Sequence, residues 1–494
     1  MRFVRIIYRS VVSLLLLMAI CLIVRVTCFR PSTNVRLTIV PFLASYRAAW
    51  NSMSTSQWMN LLFNIILFVP FGFLLPAAVP FFRKLIRTVL VGALFSAGIE
   101  AFQFIETVGV TEVDDLLNNT YGTLIGYCAF VAVREVILLI RMHGVAGASR
   151  GADANHGERV YRGAVLRIAA SFLPVVAMLL SIAMVQRIYH NQQYGNFSST
   201  PSYRINMSKV KLVNEIPEAQ LSLLPDGEEE RTVYRSVTSG LSKEEALSRA
   251  DALAEELFGR FGTKVAARTE KQEAVFADEL TGSCVYISEE NADGISWNLS
   301  VDLENLTFSL HKKSTNILPE NTESLSLSEG RVRELLHIFG FEIPEGTFEK
   351  VGASSVRFTV FQKESDGLLK SGECTVYLGS GTINQPESAS DVEGNTADEA
   401  AAVPVITGID WEILDAASAA EETVISAQEA IDKIYAGDFK ISDARAGRLS
   451  ELTLTGLHLN YGSDSKGYLR AVYAFSAEND GDKLLIIVPA TAKS

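Results

Sequence analysis

The sequence has little cysteine, and its second half is short of basic residues. Three of the five cysteines lie in apolar segments, where a thiol is usually a small hydrophobic side chain. Cys284 and Cys374 lie in the polar second half and could pair if they lie close enough. Residues 190–494 contain 27 Lys or Arg against 49 Asp or Glu. We therefore expect no nucleic-acid partner, because nucleic acid requires clustered Lys and Arg.

The first part of the chain has the opposite character. Residues 1–189 contain 17 Lys or Arg and only 8 Asp or Glu, and they hold most of the long apolar runs. Crossing a bilayer takes about 20 apolar residues. We therefore predict an all-α polytopic membrane domain with about five transmembrane helices, the first an uncleaved signal-anchor. The predicted spans are residues 11–29, 60–82, 89–105, 116–140 and 165–189.

Basic residues give these spans an expected orientation. The segments 1–10, 83–87 and 141–167 carry arginines and lysines, and the positive-inside rule assigns them to the cytoplasm. The loop 106–115 carries four acidic residues and no basic one, so we expect it to face outward. The amino terminus is then cytoplasmic, and residues 190–494 are extracytoplasmic.

Polar side chains recur inside the second, third and fourth spans, on one face of each. Their spacing of three or four residues places them together on a helix face, and the predicted orientation places all three faces near the outer ends of the helices. Glycines in the fourth span would let a neighbouring helix approach closely. The residues are Asn60 and Asn64, then Ser96, Glu100 and Gln103, then Asp114, Asp115, Asn119, Gly122 and Gly126.

A charged group at that depth costs at least about 2.5–3.5 kcal/mol unless it is compensated. We therefore expect Glu100 to be protonated or paired with amide or hydroxyl donors. One interpretation is that the cluster only joins helices through hydrogen bonds. The other is a functional site, with candidate catalytic residues Glu100, Asp115 and Asp114 and candidate substrate-binding residues Asn60, Asn64, Ser96, Gln103 and Asn119.

The residue types limit the chemistry of such a site. Oxygen ligands would suit a hard cation such as Mg²⁺ or Ca²⁺, but we assign no residue as a metal ligand. The sequence does not identify a cofactor. Zinc is not expected, because no histidine lies near the motif. Ser96 has no visible base, which excludes a serine hydrolase. A carboxylic acid with nearby amides could perform acid–base chemistry.

These residues resemble the VanZ-like family of bacterial membrane proteins over residues 40–140. The motifs read Asn60-x-x-x-Asn64, Phe68-x-Pro70-x-Gly72, Ser96-x-x-x-Glu100-x-x-Gln103, and Asp114-Asp115 with Asn119, Gly122 and Gly126. The resemblance implies a role at the outer face of the cell envelope. That role would be tolerance of teicoplanin-type glycopeptides, or the handling of an envelope lipid or cell-wall precursor. One departure is Gly109-Val110, where the family usually has Gly-Arg.

The second half predicts an extracytoplasmic α+β region of helices followed by antiparallel meanders. Helices are expected after the capping boxes Ser242–Glu245 and Ser426–Glu429 and near Ser328, each followed by alternating strand-like segments. The predicted domains are 1–190 in the membrane, a tether at 191–235, an α+β domain at 236–385, a linker at 386–404, and a second α+β unit at 405–494.

This helix-and-meander pattern resembles the PepSY or cystatin-like modules found outside bacterial membranes. The resemblance implies binding of an envelope protein partner. The alternative to action on a lipid or wall precursor is therefore a non-enzymatic, membrane-anchored sensor or binding protein.

Overall fold

A computed structural model gives the fold of most of the chain. It describes residues 2–29, 39–106, 111–146, 154–227, 229–272, 282–291, 294–314, 328–352, 354–364, 367–381, 403–441 and 449–491. Gly109-Val110 and most of the predicted linker lie outside the described residues.

Five helical segments in the first 191 residues are long and apolar enough to cross a membrane, as predicted. Large apolar side chains such as Leu94 and Leu166 are exposed on them, which suits contact with lipid. The chain is therefore a multi-pass membrane protein. The helices are α1 (Arg2–Cys28), α2 (Ala44–Ser52), α3 (Thr55–Ala78), α4 (Leu85–Glu106), α5 (Val113–Ala146), α6 (Ala154–Ser171) and α7 (Leu173–Asn191).

The fifth span is divided between two helices. Helix α6 ends at Ser171, and α7 begins at Leu173 with Pro174 in its first turn. Proline has no backbone N–H and cannot continue the hydrogen bonds of a preceding helix. The break at Phe172 therefore follows from the position of Pro174.

Helices α3 and α5 pack closely through glycine. A Cβ atom on Gly122 would collide with the carbonyl oxygen of Ile65, and one on Gly126 with that of Val69. From the other side, a Cβ atom on Gly72 would collide with the carbonyl oxygen of Thr123. The predicted close approach at Gly122 and Gly126 is present, and it fixes α5 against the face of α3 that carries Asn64.

The rest of the chain is rich in antiparallel strands with a few helices, which confirms the predicted fold class. Helices α9 (Lys243–Arg260), α10 (Glu329–Ile338) and α11 (Ala427–Tyr435) are each followed by a run of strands. The short helix α8 is Glu218–Leu221, and two two-residue strands, β1 (Ile39–Val40) and β2 (Thr111–Glu112), lie among the membrane helices. The remaining strands are β3 (Lys211–Asn214), β4 (Glu229–Ser236), β5 (Val265–Gln272), β6 (Gly282–Ser288), β7 (Ile295–Asp302), β8 (Phe308–Ser314), β9 (Gly346–Lys350), β10 (Ser355–Lys363), β11 (Leu369–Gly381), β12 (Val403–Trp411), β13 (Leu414–Val424), β14 (Lys440–Ile441), β15 (Glu451–Ser463), β16 (Tyr468–Asn479) and β17 (Asp482–Pro489).

The chain forms two compact units, each built from separate stretches of sequence. The first unit consists of Met1–Leu224, Gln428–His458 and Tyr473–Pro489, and the second of Pro225–Ala427, Leu459–Val472 and Ala490–Ser494. In the first unit β3 pairs in parallel with β15, from Lys211 opposite Glu451 to Asn214 opposite Leu454. Residues downstream of position 427 therefore complete the unit that contains the membrane helices.

The second unit packs α9 and α10 on an antiparallel sheet. Ser242 caps α9 with the predicted capping box, in which its hydroxyl accepts from the Glu245 N–H and the Glu245 carboxylate accepts from the Ser242 N–H. Cys284 and Cys374 are both fully buried in the core beneath these helices, and both are free thiols. The two cysteines are therefore not paired.

Candidate functional site

Helix α2 is attached to the start of α5 by one carboxylate. Strand β1 pairs in parallel with β2, which places Val40 opposite Glu112. The fully buried Asp114 then accepts hydrogen bonds from the backbone N–H groups of Leu43, at 2.7 Å, and Ser45, at 3.0 Å. A carboxylate at a helix N-terminus satisfies exposed N–H groups and the helix dipole. Asp114 therefore fixes the position of α2 with both of its oxygens.

A cavity of about 280 Å³ lies in the first unit where α2, α3 and the start of α5 meet. Four apolar residues from α2, α3 and β1 line it. Eight polar residues line the rest, and two of them are carboxylates. The polar lining residues are Ser45, Gln57, Asn60, Asn64, Glu112, Asp115, Ser202 and Tyr203.

One side of the cavity is an amide-bearing face of α3. Gln57, Asn60 and Asn64 are spaced three and four residues apart, so they share that face. The Asn64 amide nitrogen donates to a carboxylate oxygen of Asp115 at 2.5 Å. The side chains of Gln57 and Asn60 make no hydrogen bond to any residue that the structure describes. Their amides are therefore available to a ligand.

The second carboxylate of the cavity is Glu112. Its carboxylate accepts a hydrogen bond of 2.6 Å from the Ser45 hydroxyl, and its backbone N–H donates to Glu100 at 3.1 Å. Glu100 is itself buried, with 9% of its surface exposed, and it is not among the cavity-lining residues. Glu100 therefore lies behind the cavity and holds the main chain that carries Glu112.

Three predicted binding residues, Ser96, Gln103 and Asn119, join helices instead of lining the cavity. The Asn119 amide donates to the Ser96 hydroxyl at 2.9 Å, which links α5 to α4. The Gln103 amide donates to the carbonyl oxygen of Thr27 in α1 at 3.0 Å. The remaining amide oxygens of Asn119 and Gln103 are buried and have no hydrogen-bond partner among the described residues.

A tyrosine on α2 adds a hydrogen bond behind the cavity. The Tyr46 hydroxyl donates to the side-chain oxygen of Asn118, which is buried. Burial, followed by the nearby Asp114 and Asp115 carboxylates, raises the pKa of Tyr46 to about 12. Tyr46 is therefore a neutral hydrogen-bond donor at physiological pH.

A segment after α7 is hydrogen-bonded to the end of α2. The Asn196 amide donates to the carbonyl oxygen of Trp50 at 2.7 Å, and the Asn51 amide donates to the carbonyl oxygen of Thr200 at 3.0 Å. These bonds hold the segment that brings Ser202 and Tyr203 to the cavity.

The structure thus divides the predicted residues into groups. Asn60, Asn64 and Asp115 line the cavity, whereas Asp114 caps α2 and Glu100 supports the backbone of Glu112. The pairs Ser96–Asn119 and Gln103–Thr27 connect helices. Sequence reasoning did not identify the lining residues Ser45, Gln57, Glu112, Ser202 and Tyr203. Gln57 carried a local signal, because it lies three residues before Asn60 on the same helix face, and so did Glu112, one of the four acidic residues of the loop 106–115.

The carboxylates and amides allow acid–base chemistry or the binding of a polar group. Within the described parts of the chain, no three His, Cys, Asp or Glu side chains come close enough together to hold a metal ion. Asp115 and Glu112 are the carboxylates that a bound molecule could contact directly.

Fold and site together describe a polytopic helical membrane protein with a polar cavity at one end of its helices. Residues 10–137 match the model of the VanZ/LLP1 family, which confirms the resemblance expected from the motifs of α3, α4 and α5. This match covers the cavity-lining parts of α2, α3, β2 and α5, and it leaves the strand-rich remainder unassigned. A search of curated proteins finds no match to the chain. The PepSY-like resemblance stays a prediction.

Proposed function

We propose that this protein is a VanZ-like component of the bacterial cell envelope that binds the head group of an envelope lipid or cell-wall precursor at the outer leaflet. Its activity would confer tolerance of glycopeptide antibiotics of the teicoplanin type. The observation that supports this proposal best is the polar cavity formed by α2, α3 and α5, with Asp115 and Asn64 hydrogen-bonded in its wall.

The position of the cavity at one end of the helices supports the assignment to the outer leaflet. The cavity lies at the start of α3, whereas Arg83, Lys84 and Arg87 lie at the opposite end, in the connection from α3 to α4 and the first turn of α4. Under the positive-inside rule these basic residues are cytoplasmic, so the cavity end of the helices faces outward. A lipid head group at the outer surface would then reach the cavity from the membrane.

The proposal assigns different roles to the three predicted catalytic residues. Asp115 contacts the ligand because it lines the cavity, and it is the candidate acid or base if the protein is an enzyme. Glu100 and Asp114 are positioning residues, because one holds the Glu112 backbone and the other holds α2.

The test is teicoplanin susceptibility in a sensitive Gram-positive host. The host would express the wild type, Asp115→Asn, Glu100→Gln or Glu106→Gln at equal membrane levels. Glu106 is an exposed carboxylate at the end of α4, which makes Glu106→Gln the matched control. We expect the wild type and the control to protect the host, Asp115→Asn to give no protection, and Glu100→Gln to give partial protection.

Two results would contradict the proposal. Absence of protection by the wild type would show that the glycopeptide role does not apply to this chain. Full protection by Asp115→Asn would show that the cavity does not carry the activity, and it would favour the alternative of a non-enzymatic sensor or binding protein that acts through its strand-rich region.

A further inference from the structure

The hydrogen-bonding groups that line the cavity are carboxylates, side-chain amides and hydroxyls. Among the residues that the structure describes, the lining has two carboxylates (Glu112 and Asp115), three side-chain amides and three hydroxyls, and no Lys, Arg or His. Arg204 follows the lining residue Tyr203 in the chain, but its guanidinium points to Asp438, 4.0 Å away. The described part of the wall therefore carries two acidic side chains and no basic one.

An anionic ligand would be repelled by such a wall. A phosphate group close to Asp115 and Glu112 would meet like charge in a partly desolvated site, where charges interact more strongly than in water. Sites that bind phosphate normally use Arg, Lys or helix N-termini. The N-terminus of α2 is already occupied by the Asp114 carboxylate. The cavity is consequently unsuited to the phosphate part of a lipid.

The same wall matches a ligand with many hydroxyl groups. Carboxylates accept hydrogen bonds, and an O–H donor gives them a strong, charge-assisted bond. The amides of Gln57 and Asn60, which have no partner in the described chain, can each donate and accept. A volume of about 280 Å³ lies just below the usual range of small-molecule pockets, which are roughly 300–1,000 Å³. That space suits one compact ring.

We propose that the cavity binds an uncharged sugar ring, so that the protein recognises the carbohydrate part of its envelope ligand and not the phosphate part. This inference rests on the proposed function and adds the class of head group. Asp115 and Glu112 accept hydrogen bonds from sugar hydroxyls, while Gln57 and Asn60 bond the edge of the ring.

The experiment uses the full-length chain in phosphatidylcholine nanodiscs with a reporter thiol in the cavity wall. Ser202→Cys places that thiol among the lining residues, and a membrane-impermeant maleimide measures its rate of labelling. Ser208→Cys is the matched control, because Ser208 is exposed and is not a lining residue. The probes share one alkyl chain: octyl glucoside, octyl phosphate and octylammonium, each below its micelle concentration.

We expect octyl glucoside alone to protect the thiol of the Ser202→Cys variant. At ten times the dissociation constant, labelling should slow about tenfold, by the factor 1 + [L]/Kd. Labelling of the Ser208→Cys variant should not change. Adding Asn60→Leu to Ser202→Cys should weaken the affinity for octyl glucoside about tenfold, as expected for one lost hydrogen bond.

Protection by octyl phosphate or by octylammonium without protection by octyl glucoside would overturn the inference, as would the absence of protection by any probe. These results can be separated from failure of the proposed function, which is tested by antibiotic susceptibility. A chain that confers tolerance through Asp115 but is protected only by octyl phosphate would retain the function and exclude the sugar ring.

Discussion

Replacing Asp114 by asparagine should loosen the start of α2 without unfolding the membrane helices. Asparagine keeps one oxygen, so it can still accept from one of the two N–H groups that Asp114 now binds, those of Leu43 and Ser45. The other N–H would face the new amide donor. A hydrogen bond to a charged group contributes about 1.5–3 kcal/mol, and this amount is the expected loss.

Hydrogen exchange of backbone amides measures that loss directly. A change of about 1.5–3 kcal/mol corresponds to exchange about 10- to 150-fold faster, if α2 opens locally. We expect this acceleration at Leu43 and Ser45, with α3 unaffected. The control is Asp115→Asn, which changes the neighbouring carboxylate but leaves the cap of α2 in place.

The result that would refute this reasoning is unchanged exchange at Leu43 and Ser45 in Asp114→Asn. The start of α2 would then be held by its other contacts, and the carboxylate would have to be explained differently. Equal acceleration in Asp115→Asn would also contradict the reasoning, because it would show that the two acidic residues share one role.

Three further predictions concern helix packing, the reactivity of a buried thiol and the strength of ion pairs. Gly122→Leu should lower the melting temperature, by overpacking that costs typically about 1–3 kcal/mol. Gly98→Ala should not, because a Cβ at Gly98 would meet no described atom within 4 Å apart from those of its chain neighbours and its own helix backbone. An equal effect of both variants on the melting temperature would contradict close packing at Gly122. Burial raises the pKa of Cys374 to about 12, so iodoacetamide should modify this thiol only after unfolding. Mass spectrometry measures the modification, and a modified Cys374 in the native protein would contradict the prediction. Arg470→Met removes the buried guanidinium that pairs with Glu422, and it should lower the free energy of unfolding by about 3–5 kcal/mol. Lys211→Met at the exposed pair with Glu451 should lower it by less than about 1 kcal/mol. Urea unfolding of both variants measures this difference, and equal losses would contradict the prediction.

The membrane helices could be predicted because their signal is local. A run of about 20 apolar residues identifies a span without knowledge of its neighbours, and the glycines at 122 and 126 indicate close packing through their spacing. The break at Phe172 was also encoded locally, by Pro174, but it was not predicted because the apolar run continues through it.

The cavity was only partly predictable, because its wall combines distant segments. Asn60, Asn64 and Asp115 could be found since their polarity is unusual in apolar spans. Ser45 could not, because it lies on α2, a nine-residue helix with no apolar run. Ser202 was hidden for the same reason, since it reaches the cavity from beyond α7 through tertiary contacts alone.

Several strands escaped prediction because pairing, rather than composition, makes them strands. Strand β13 contains four alanines and three acidic residues in an eleven-residue segment with little alternation of apolar and polar side chains. It is a strand because it pairs with β4 and β11. β-propensity depends strongly on such context, so β13, and β4 in the predicted tether, could not be predicted from the sequence alone.

The parallel pairing of β3 with β15 has a consequence for biogenesis. Lys211 and Glu451, which face each other in this pairing, are 240 residues apart in sequence. Contacts of such high sequence separation form slowly, because a long loop must close before they give any stability. During synthesis, membrane insertion of the helices should therefore precede completion of the unit to which they belong. A chain cut after the last membrane helix would therefore be inserted but would lack both strands of this pairing, β3 and β15.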